Sequence, residues 1–531
     1  MENLIRRYES SFKANRDLPA LTDYVSGKTY SYLQLAAKIE SNHRIFSEEG
    51  VKKGDKIALV GKNSIDWIST YISVITYGAV AVPILPDFNP IDIKDIVAHS
   101  DSVLLFADGA ILRRMDTSEL TRIRRIFRFE DMPEPVSSGF DIDRVKYADV
   151  ELDSPAIISY TSGTTGSSKG VILPLRSLSN NVGFAITYRF HIRGSRVLAL
   201  LPLAHAYGCA FDMLTPLAVG SHIFVLGKIP TPGVLLEALG KVKPRIICTV
   251  PLVMEKLVRK NVMPQLEKQP VRTLLKLPLI NRIIYAGVRK KLLAAFGGCI
   301  TEINMGGAAL APDVEKLLTK IRFPFAVGYG MTECGPLISY CGCREFKSGS
   351  CGKLVTGMEI KVDTEGFENG LGEICVKGDN LLLGYYKNPE ATENAIRDGW
   401  FHTGDIGYVD KDNMVFLRGR CKSMILTSAG QNIYPEEIEG KLNHLAGVSE
   451  SLVYEKDGKL IALVVPDAEM MKQGYEKIKE YSKTLLGKLN SIVAPFEKIS
   501  DIRACSEPFE KTPKQSIKRF LYPKKAKFFK E

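Results

Sequence analysis

Apolar and polar positions follow two alternating periods along the first 340 residues. Apolar runs of strand length occur at 56–60, 103–106, 155–159, 197–201, 223–226 and 246–250. Stretches with helical spacing lie between them, as at 32–47 and 65–77. Strands that alternate with helices are typical of parallel βαβ layers. The pattern therefore predicts an α/β fold with a large N-terminal domain of layered βαβ sheets.

The pattern changes after residue 350. Residues 350–419 are predicted to form short antiparallel strands with glycine-rich turns, as a small β-barrel-like subdomain of the large domain. A small α+β domain is expected from 420 onward, with helices over 435–445 and 470–489 and a hairpin around Asp457-Gly458. The predicted domains are therefore 1–419 and 420–531.

Composition and charge narrow the class of protein. A chain of 531 residues is too long for one core, and its 45% hydrophobic and 25% charged residues are ordinary for a soluble globular protein. The formal net charge of +11 favours anionic partners such as nucleotides, coenzyme A or an acidic lipid surface. No nucleic-acid-binding motif is evident, so nucleic acid is not an expected partner.

Cysteines and the N-terminus bear on the compartment. The ten cysteines show no framework of short, regular spacings, which favours a reducing cytoplasm. Four of them, at 334, 341, 343 and 351, cluster without a C-x2-4-C pair, so a zinc site is not expected. The N-terminus lacks an apolar signal segment. Residues 67–86 carry no charge, but Gly78 and two prolines favour a buried helix followed by a strand.

The strongest chemical signal is the stretch 160–171, Tyr-Thr-Ser-Gly-Thr-Thr-Gly-Ser-Ser-Lys-Gly-Val. Its glycines let backbone N–H groups converge on one point, its hydroxyls add donors, and Lys169 adds a positive charge. An ordinary surface loop is the alternative, but this density of donors favours phosphate binding. The pattern is not GxxxxGK[ST], because Gly170 follows the lysine and the glycine spacing differs.

This stretch resembles the phosphate loop of the adenylate-forming superfamily, which includes acyl-CoA synthetases, luciferases and the adenylation domains of peptide synthetases. Further motifs extend the resemblance from about Thr29 to Arg519. The resemblance implies a large domain that binds AMP and the acyl group, and a small C-terminal domain that swivels. It assigns the ATP phosphates to Thr161, Ser162, Gly163, Thr164, Thr165 and Lys169.

Three other motifs of the large domain match the superfamily. In 304–309, Asn-Met-Gly-Gly-Ala-Ala, small residues allow a flat ring to lie on the backbone, although a tight turn is the alternative. The resemblance assigns adenine to this strip and to 328–333, through Gly307, Ala308, Ala309, Tyr329 and Gly330. It assigns Thr332 to the α-phosphate and Glu333 to Mg²⁺, a hard cation that prefers oxygen ligands. His205, within 201–208, would border the substrate carboxylate, although a lone histidine is more often structural.

The ribose and hinge motifs follow. The stretch 400–407, Trp-Phe-His-Thr-Gly-Asp-Ile-Gly, matches the ribose motif, in which the carboxylate of Asp405 would accept both ribose hydroxyls. Residues 419–423 resemble the hinge, and Arg420 would also contact the ribose or a phosphate. Ser423 stands where the superfamily usually has a charged hinge residue. The loop 428–432 resembles the lining of the thiol tunnel.

The chain departs from the superfamily near its C-terminus. The superfamily places an adenylation lysine in a K-T-x-x-G-K-I-x-R frame, and here 511–519 reads Lys-Thr-Pro-Lys-Gln-Ser-Ile-Lys-Arg. Ser516 occupies the lysine position and Gln515 the glycine position. Lys514, two residues away, is the predicted substitute, because alternate residues of an extended chain share one side. Lys518 corresponds to a second lysine of long-chain members.

Two segments combine basic and apolar residues. Residues 270–297 are predicted to form an amphipathic helix docked on the body. They also resemble the variable basic segment of long-chain fatty acyl-CoA synthetases, a resemblance that makes contact along a membrane surface the alternative. The tail after Arg519 interleaves lysines with aromatic residues. A solvated tail is expected, and weak peripheral membrane contact is the alternative.

The resulting hypothesis is an ATP-dependent fatty acid–CoA ligase of the long-chain type. It implies ATP, Mg²⁺ and coenzyme A, a cytoplasmic or membrane-peripheral location, and a monomer or homodimer. The alternatives are an adenylating ligase for aryl acids, a loader of acyl-carrier protein, and a catalytically weak acyl-nucleotide-binding protein, the last supported by Ser516 alone.

Overall fold

The computed structural model describes residues 1–162, 168–227, 231–368, 370–426, 432–456, 458–512 and 516–529. Its helices are α1 Leu4–Ala14, α2 Tyr32–Glu48, α3 Ile65–Tyr77, α4 Pro90–His99, α5 Gly109–Leu112, α6 Leu175–Thr187, α7 Ala206–Gly208, α8 Thr215–Val219, α9 Pro232–Val242, α10 Pro251–Asn261, α11 Met263–Glu267, α12 Val271–Leu274, α13 Pro278–Ala295, α14 Pro312–Lys320, α15 Pro389–Ala395, α16 Pro435–Asn443 and α17 Tyr475–Asn490. No helix in the described ranges has an apolar stretch long enough to traverse a bilayer.

The strands follow in chain order. They are β1 Pro19–Asp23, β2 Thr29–Ser31, β3 Lys56–Val60, β4 Val80–Ile84, β5 Ser102–Ala107, β6 Arg125–Arg128, β7 Pro155–Ser162, β8 Ser168–Pro174, β9 Arg196–Ala199, β10 His222–Val225, β11 Ile246–Thr249, β12 Glu302–Met305, β13 Phe325–Val327, β14 Tyr329–Gly330, β15 Leu337–Tyr340, β16 Lys353–Leu354, β17 Met358–Asp363, β18 Gly372–Gly378, β19 Gly384–Tyr385, β20 Ile396–Arg397, β21 Trp400–Val409, β22 Val415–Arg420, β23 Ile425–Leu426, β24 Asn432–Ile433, β25 Val448–Lys456, β26 Lys459–Pro466 and β27 Asp501–Ala504.

The chain forms two compact units. The first contains Met1–Thr161, Ser168–Glu359 and Lys377–Ile396, and the second contains Ile360–Val376 and Arg397–Glu531. Residues 360–376 and 397–419, which were predicted to lie in the large domain, thus cluster with the C-terminal residues. The predicted boundary at 420 remains a proposal.

Layered α/β sheets build the first unit, which confirms the predicted fold class. A seven-stranded sheet has the order β19-β8-β7-β4-β3-β5-β6, with β3 parallel to both β4 and β5 and β4 parallel to β7. A four-stranded sheet has the order β2-β1-β10-β9, and β11-β12-β13 form a separate parallel sheet. Strand β19 joins the large sheet by pairing antiparallel with β8, whereas residues 350–419 were predicted to form a subdomain of their own.

Local sequence explains the ends of the helices that hold these sheets. Helix α2 begins with a capping box in which Ser31 and Gln34 satisfy each other's backbone N–H groups. Helix α3 begins at a Ser64 cap and ends at Gly78, whose φ of 84° is left-handed. This helix is buried nearly all round and leads into β4, as the uncharged run at 67–86 predicts.

Within its described residues, the second unit combines antiparallel strands, the parallel pair β26-β27 and the helices α16 and α17. Strands β17, β18, β21 and β20 form a sheet in that order, with β22 paired to β21. Strands β25 and β26 pair antiparallel from Val448↔Pro466 to Lys456↔Lys459, as the predicted hairpin requires. The helix predicted over 470–489 is wrong at its start. A short 3₁₀ turn covers 470–473, and Gly474, with φ 81°, separates it from α17, because a left-handed residue cannot continue a helix.

Candidate active site

Two of the predicted motifs follow the carboxyl ends of parallel strands in the first unit. Gly306 comes directly after β12, and its N–H donates to the Thr249 carbonyl at the end of β11 (3.2 Å). Gly328 comes directly after β13, and its N–H donates to the Met305 carbonyl (2.8 Å). Parallel α/β sheets bind ligands at this edge. The strip 304–309 and the motif 328–333 therefore lie side by side at a ligand-binding edge.

The strip has a supported inner face and an open outer face. A Cβ at Gly306 would lie 3.5 Å from the ring of Tyr207, whose hydroxyl donates to the Asn304 carbonyl (2.9 Å). Gly307 has φ 84° and open space on its Cβ side, and Ala308 and Ala309 are exposed. A flat ring fits this geometry, and the assignment of adenine to these residues remains a prediction.

His205 starts the helical stretch beside the strip. Its Nδ1 lies 3.4 Å from the backbone N–H of Tyr207, which makes it the N-terminal cap of α7. Helix α7 continues through a π-helical turn, Cys209–Leu214, into α8, and such turns occur often at functional sites. His205 is only partly buried. Its placement beside the substrate carboxylate remains a prediction.

The motif 328–333 is tightly held by its backbone. A Cβ at Gly330 would lie 2.1 Å from the Pro336 carbonyl oxygen, so the position accepts only glycine. Tyr329 and Thr332 are 6% and 5% exposed. Residues Thr332–Cys334 form a single 3₁₀ turn that carries Glu333, and Gly335, with φ 56°, ends that turn. The chain is thereby fixed on both sides of the predicted magnesium ligand.

Tyr385 links the predicted phosphate lysine to the predicted magnesium ligand. The Nζ of Lys169, in β8, lies 5.0 Å from the centre of the Tyr385 ring. The Tyr385 hydroxyl donates to Oε1 of Glu333 (3.1 Å). Burial, and then the negative charge of Glu333, raise the pKa of Tyr385, so the hydroxyl stays protonated and remains a donor. Two motifs that are far apart in sequence therefore meet at one aromatic ring.

The backbone of residues 382–386, the connecting segment, reinforces this link. On one side, the Leu382 N–H donates to the Glu333 carbonyl (2.9 Å). On the other side, the Leu383 N–H donates to the Ile172 carbonyl (2.9 Å) and the Tyr386 N–H to the Gly170 carbonyl (2.7 Å), both in β8. The segment thus joins the strand of Lys169 to the turn of Glu333. Sequence reasoning did not single out Tyr385, because its role depends on pairing with a distant strand.

Polar contacts to residues 99–101 support both β7 and the connecting segment. The Tyr160 hydroxyl lies 2.7 Å from Nδ1 of His99, and the Tyr386 hydroxyl donates to Asp101 (2.8 Å). Gly170 lies between these two tyrosines, and a Cβ there would come within 3.3 Å of both side chains. A side chain at position 170 would therefore crowd both tyrosines, so the packing requires glycine there.

The predicted ribose residues lie together in the second unit. Asp405 and Arg420 are partners across β21 and β22, and the Arg420 Nε lies 3.0 Å from Oδ1 of Asp405. The Asp405 side chain is 8% exposed and that of Arg420 is 62% exposed. Gly404 takes φ 72°, and its N–H donates to Glu373 (2.8 Å). This arrangement fixes the carboxylate next to an accessible guanidinium.

One group in this sheet has metal-binding side chains. Ligand atoms of Asp363, Cys375 and His402 lie within 4.8 Å of one another. The His402 Nδ1, however, is already 2.8 Å from Oε2 of Glu373. Burial, and then the charge of Glu373, raise the pKa of the Cys375 thiol to about 12, and a protonated thiol is a poor metal ligand. Hydrogen bonding therefore accounts for the group.

Several predicted residues lie outside the described residues. They are Gly163, Thr164, Thr165, Lys514, Gln515 and most of the loop 428–432. For Ser162 the structure describes only the backbone, at the end of β7 next to the half-buried Thr161.

The flanks of Lys514 are described and firmly anchored. Lys511 and Ile517 form an antiparallel β-bridge, and the Thr512 N–H donates to the Ser516 carbonyl (2.8 Å). Ser516 itself is exposed. The Lys511 ammonium pairs with Glu450 (2.6 Å), and the guanidinium of Arg519 pairs with Glu439 (2.8 Å). Position 516, where the usual lysine is missing, is therefore held at a defined place in the second unit.

Comparison with known proteins agrees with this geometry. The sequence profile of a family described as "AMP-binding enzyme" matches residues 8–386. The chain is 29% identical over 456 residues to 4-coumarate-CoA ligase 1 from Narcissus pseudonarcissus, covering 80% of this chain and 76% of that protein. It is 26% identical over 494 residues to a long-chain-fatty-acid–CoA ligase from Mycobacterium bovis, covering 86% and 80%.

Solved structures show the same fold. The crystal structure of the anthranilate CoA ligase AuaEII in complex with anthranoyl-AMP superimposes with a TM-score of 0.80 at 19% identity, over 99% of this chain and 97% of that chain. ATP-bound MatB from Rhodopseudomonas palustris superimposes with a TM-score of 0.79 at 22% identity, over 98% of each chain.

Proposed function

We propose a fatty acid–CoA ligase activity for this chain, which belongs to the AMP-binding enzyme family. Adenylate-forming acid–CoA ligases of this family use ATP and coenzyme A. The general activity, formation of an acyl-adenylate and then of a CoA thioester, follows from this membership. The identity of the acid and the roles of individual residues are the specific parts of the proposal.

The chemistry explains why the site carries phosphate-binding groups. A carboxylate is a poor electrophile, because displacement at its carbon would expel oxide. Its oxygen instead attacks the α-phosphorus of ATP, which forms the acyl-adenylate and releases pyrophosphate. The thiol of coenzyme A then attacks the acyl carbon and expels AMP. Positioning and stabilisation of phosphate charge supply most of the catalysis in phosphoryl chemistry.

The observation that carries the proposal is the meeting of Lys169 and Glu333 at Tyr385. Lys169 follows the phosphate loop and would place a positive charge beside the ATP phosphates. Glu333 offers a carboxylate, and Mg²⁺ typically binds one or two carboxylates together with substrate phosphates. The hydrogen bond from Tyr385 leaves the second oxygen of Glu333 for that purpose. When bound, Mg²⁺ would neutralise charge on the phosphates.

The first unit has a small apolar cavity next to the strip. It borders Thr249, whose carbonyl accepts the N–H of Gly306 in the strip. Its lining consists of Leu200, Leu235, Leu239, Ile247, Thr249, Val253, Met254 and Phe296. This space is about 10 Å³, room for roughly one water molecule, so an acyl group would enter only if these side chains moved apart. The name of the long-chain-fatty-acid–CoA ligase from Mycobacterium bovis is what favours a fatty acid. An aryl acid is the second candidate, favoured by the names of the 4-coumarate and anthranilate ligases.

Two measurements test the proposal. The purified protein should exchange labelled pyrophosphate into ATP only when an acid is present, and it should form a CoA thioester faster with hexadecanoate than with 4-coumarate or anthranilate. Lys169→Ala and Glu333→Gln should each reduce exchange by at least tenfold, whereas Lys320→Ala, at an exposed lysine of α14, should not. If none of the acids in the panel supports exchange, the result favours the non-catalytic nucleotide-binding protein. Faster turnover of 4-coumarate would favour the aryl-acid ligase.

A further inference from the structure

The segment 200–204, here called the β9–α7 segment, runs through bends and turns from β9 to α7. Its second half is buried, with Leu203 0% and Ala204 7% exposed. Buried backbone N–H and C=O groups need hydrogen-bond partners, and a segment outside the sheets and helices takes them largely from side chains. The side chains that bind this segment therefore decide its course.

Asn63 supplies two of these partners. Its Nδ2 donates to the Leu201 carbonyl (2.8 Å), and its Oδ1 accepts the Leu203 N–H (2.9 Å). The two bonds lie on either side of Pro202 and resemble those that a neighbouring strand would make. An amide side chain suits both roles because it carries a donor and an acceptor, whereas a carboxylate only accepts.

Asn63 comes from a different sheet than the segment that it binds. It follows the carboxyl end of β3 in the seven-stranded sheet and precedes Ser64, the cap of α3. The β9–α7 segment follows the carboxyl end of β9 in the four-stranded sheet. Ligands of α/β sheets bind at the carboxyl ends of the strands. Asn63 therefore joins the ligand-binding edges of two sheets.

The β9–α7 segment sets the position of His205. The His205 N–H donates to the Pro202 carbonyl (3.0 Å), between the two residues that Asn63 binds. Gly208 packs on the same carbonyl, since a Cβ there would lie 2.7 Å from its oxygen. A displacement of Pro202 would therefore carry His205 with it.

Asp212 holds the start of the same segment. Its side chain lies in the π-helical turn, where the residue is 1% exposed. It hydrogen-bonds the backbone N–H groups of Leu201 and Leu200 and the thiol of Cys248 in β11. Leu201 is thus bound through its N–H by Asp212 and through its carbonyl by Asn63. With this end fixed, the bonds of Asn63 direct the chain toward His205.

We propose that Asn63 is a positioning residue for adenylation, which holds the β9–α7 segment so that His205 meets the substrate carboxylate. The inference rests on the proposed function and on the prediction that His205 borders that carboxylate. A misplacement of about 1 Å, caused by a change away from the reacting atoms, can cost about a hundredfold in rate. Asn63 is therefore expected to contribute to turnover through geometry.

Asn63→Asp tests this role, because it keeps the shape of the side chain but replaces the donor to Leu201 by a second acceptor. Pyrophosphate exchange is measured with the acid that reacts fastest. For that acid kcat/KM should fall by about 10- to 100-fold, while the KM for ATP stays within about twofold of the wild type. Asn63→Ala, which removes both bonds and adds no charge, should lower kcat/KM about tenfold or more.

Asn490→Asp is the matched control. The Asn490 amide makes the same pair of bonds in the second unit, to the Ile499 carbonyl (2.9 Å) and from the Ile499 N–H (2.8 Å). This variant should lower the thermal midpoint as Asn63→Asp does but leave kcat/KM within about twofold of the wild type. All assays are run below the thermal midpoint of every variant, so that lost activity does not reflect unfolding.

A double variant separates positioning from lost stability. If Asn63 acts through His205, adding Asn63→Asp to His205→Ala should lower kcat/KM by less than about threefold, because residues that share one interaction are not additive. Full addition of the two losses, unchanged activity of His205→Ala, or wild-type activity of Asn63→Asp would each overturn the inference alone. A wild-type protein that shows no exchange with any acid would overturn the proposed function and this inference together.

Discussion

Replacing Tyr385 by phenylalanine tests the central geometry of the site. The change removes the hydroxyl that donates to Glu333 over 3.1 Å but keeps the ring beneath the Lys169 ammonium. A hydrogen bond to a charged group contributes about 1.5–3 kcal/mol. If Glu333 needs this bond to keep its orientation toward Mg²⁺, kcat/KM for adenylation should fall by about 10- to 150-fold.

The effect should depend on magnesium. Tyr385 acts through Glu333, so Tyr385→Phe should raise the Mg²⁺ concentration needed for half-maximal pyrophosphate exchange. Tyr385→Leu should also remove the contact with Lys169, a cation–π interaction of about 0.5–2 kcal/mol, and should cost a further 2- to 30-fold. In the double variant with Glu333→Gln, the two losses should not add, because the residues share one interaction.

Tyr386→Phe is the matched control. It removes a neighbouring hydroxyl that donates to Asp101 (2.8 Å), a contact away from Lys169 and Glu333. It should lower the thermal midpoint slightly and leave the Mg²⁺ dependence as in the wild type. Exchange by Tyr385→Phe within twofold of the wild type at every Mg²⁺ concentration would refute the reasoning.

Three further predictions follow from single positions. Lys514→Ala should slow adenylation by about two to three orders of magnitude, because it removes the cation expected at the leaving pyrophosphate. Adding Ser516→Lys should restore much of that loss by supplying a cation again, and single-turnover adenylate formation measures both effects. Gly330→Ala should strongly lower the thermal unfolding midpoint, because its Cβ would overlap the Pro336 carbonyl oxygen. Calorimetry measures this midpoint, and Gly183→Ala, where a Cβ meets open space, is the control. Burial raises the pKa of Asp212 from 3.8 to about 8, so between these pH values the folded state keeps a proton that the unfolded state loses, and the free energy of unfolding should fall as pH rises from about 4 to 8. Asp212→Asn should flatten that pH dependence in urea titrations, and an unchanged slope would contradict the prediction.

The sequence predicted those parts of the fold that depend on local pattern. The apolar runs at 56–60 and 246–250 became β3 and β11 within a residue, and α3 has the predicted bounds, because a Ser64 cap and Gly78 mark its ends. The break at Gly474 was missed, since glycine is tolerated inside many helices and its left-handed φ becomes evident only from structure.

The same distinction between local pattern and long-range pairing applies to the candidate site. Motifs such as 304–309 and 328–333 could be found from residue types, because glycines and small residues indicate places where a ligand or another chain segment approaches the backbone closely. Tyr385 could not be found that way. Its importance comes from pairing between β19 and β8, which are more than two hundred residues apart, and strand register of this range has no local signal.

That register gives the predicted site a fixed geometry through the backbone. Tyr385 pairs with Val171, and the Leu382 N–H binds the Glu333 carbonyl, so the connecting segment fixes both groups through its backbone. A slip of one residue would turn the Tyr385 ring to the opposite face of the sheet. Glycine is required at position 384 in this pairing, because its φ is 150° and a Cβ there would lie 3.0 Å from the Thr392 side chain. Strand pairing thus sets the spacing between Lys169, the predicted phosphate ligand, and Glu333, the predicted magnesium ligand. Side-chain substitutions alter such a spacing less easily than a contact between two flexible side chains.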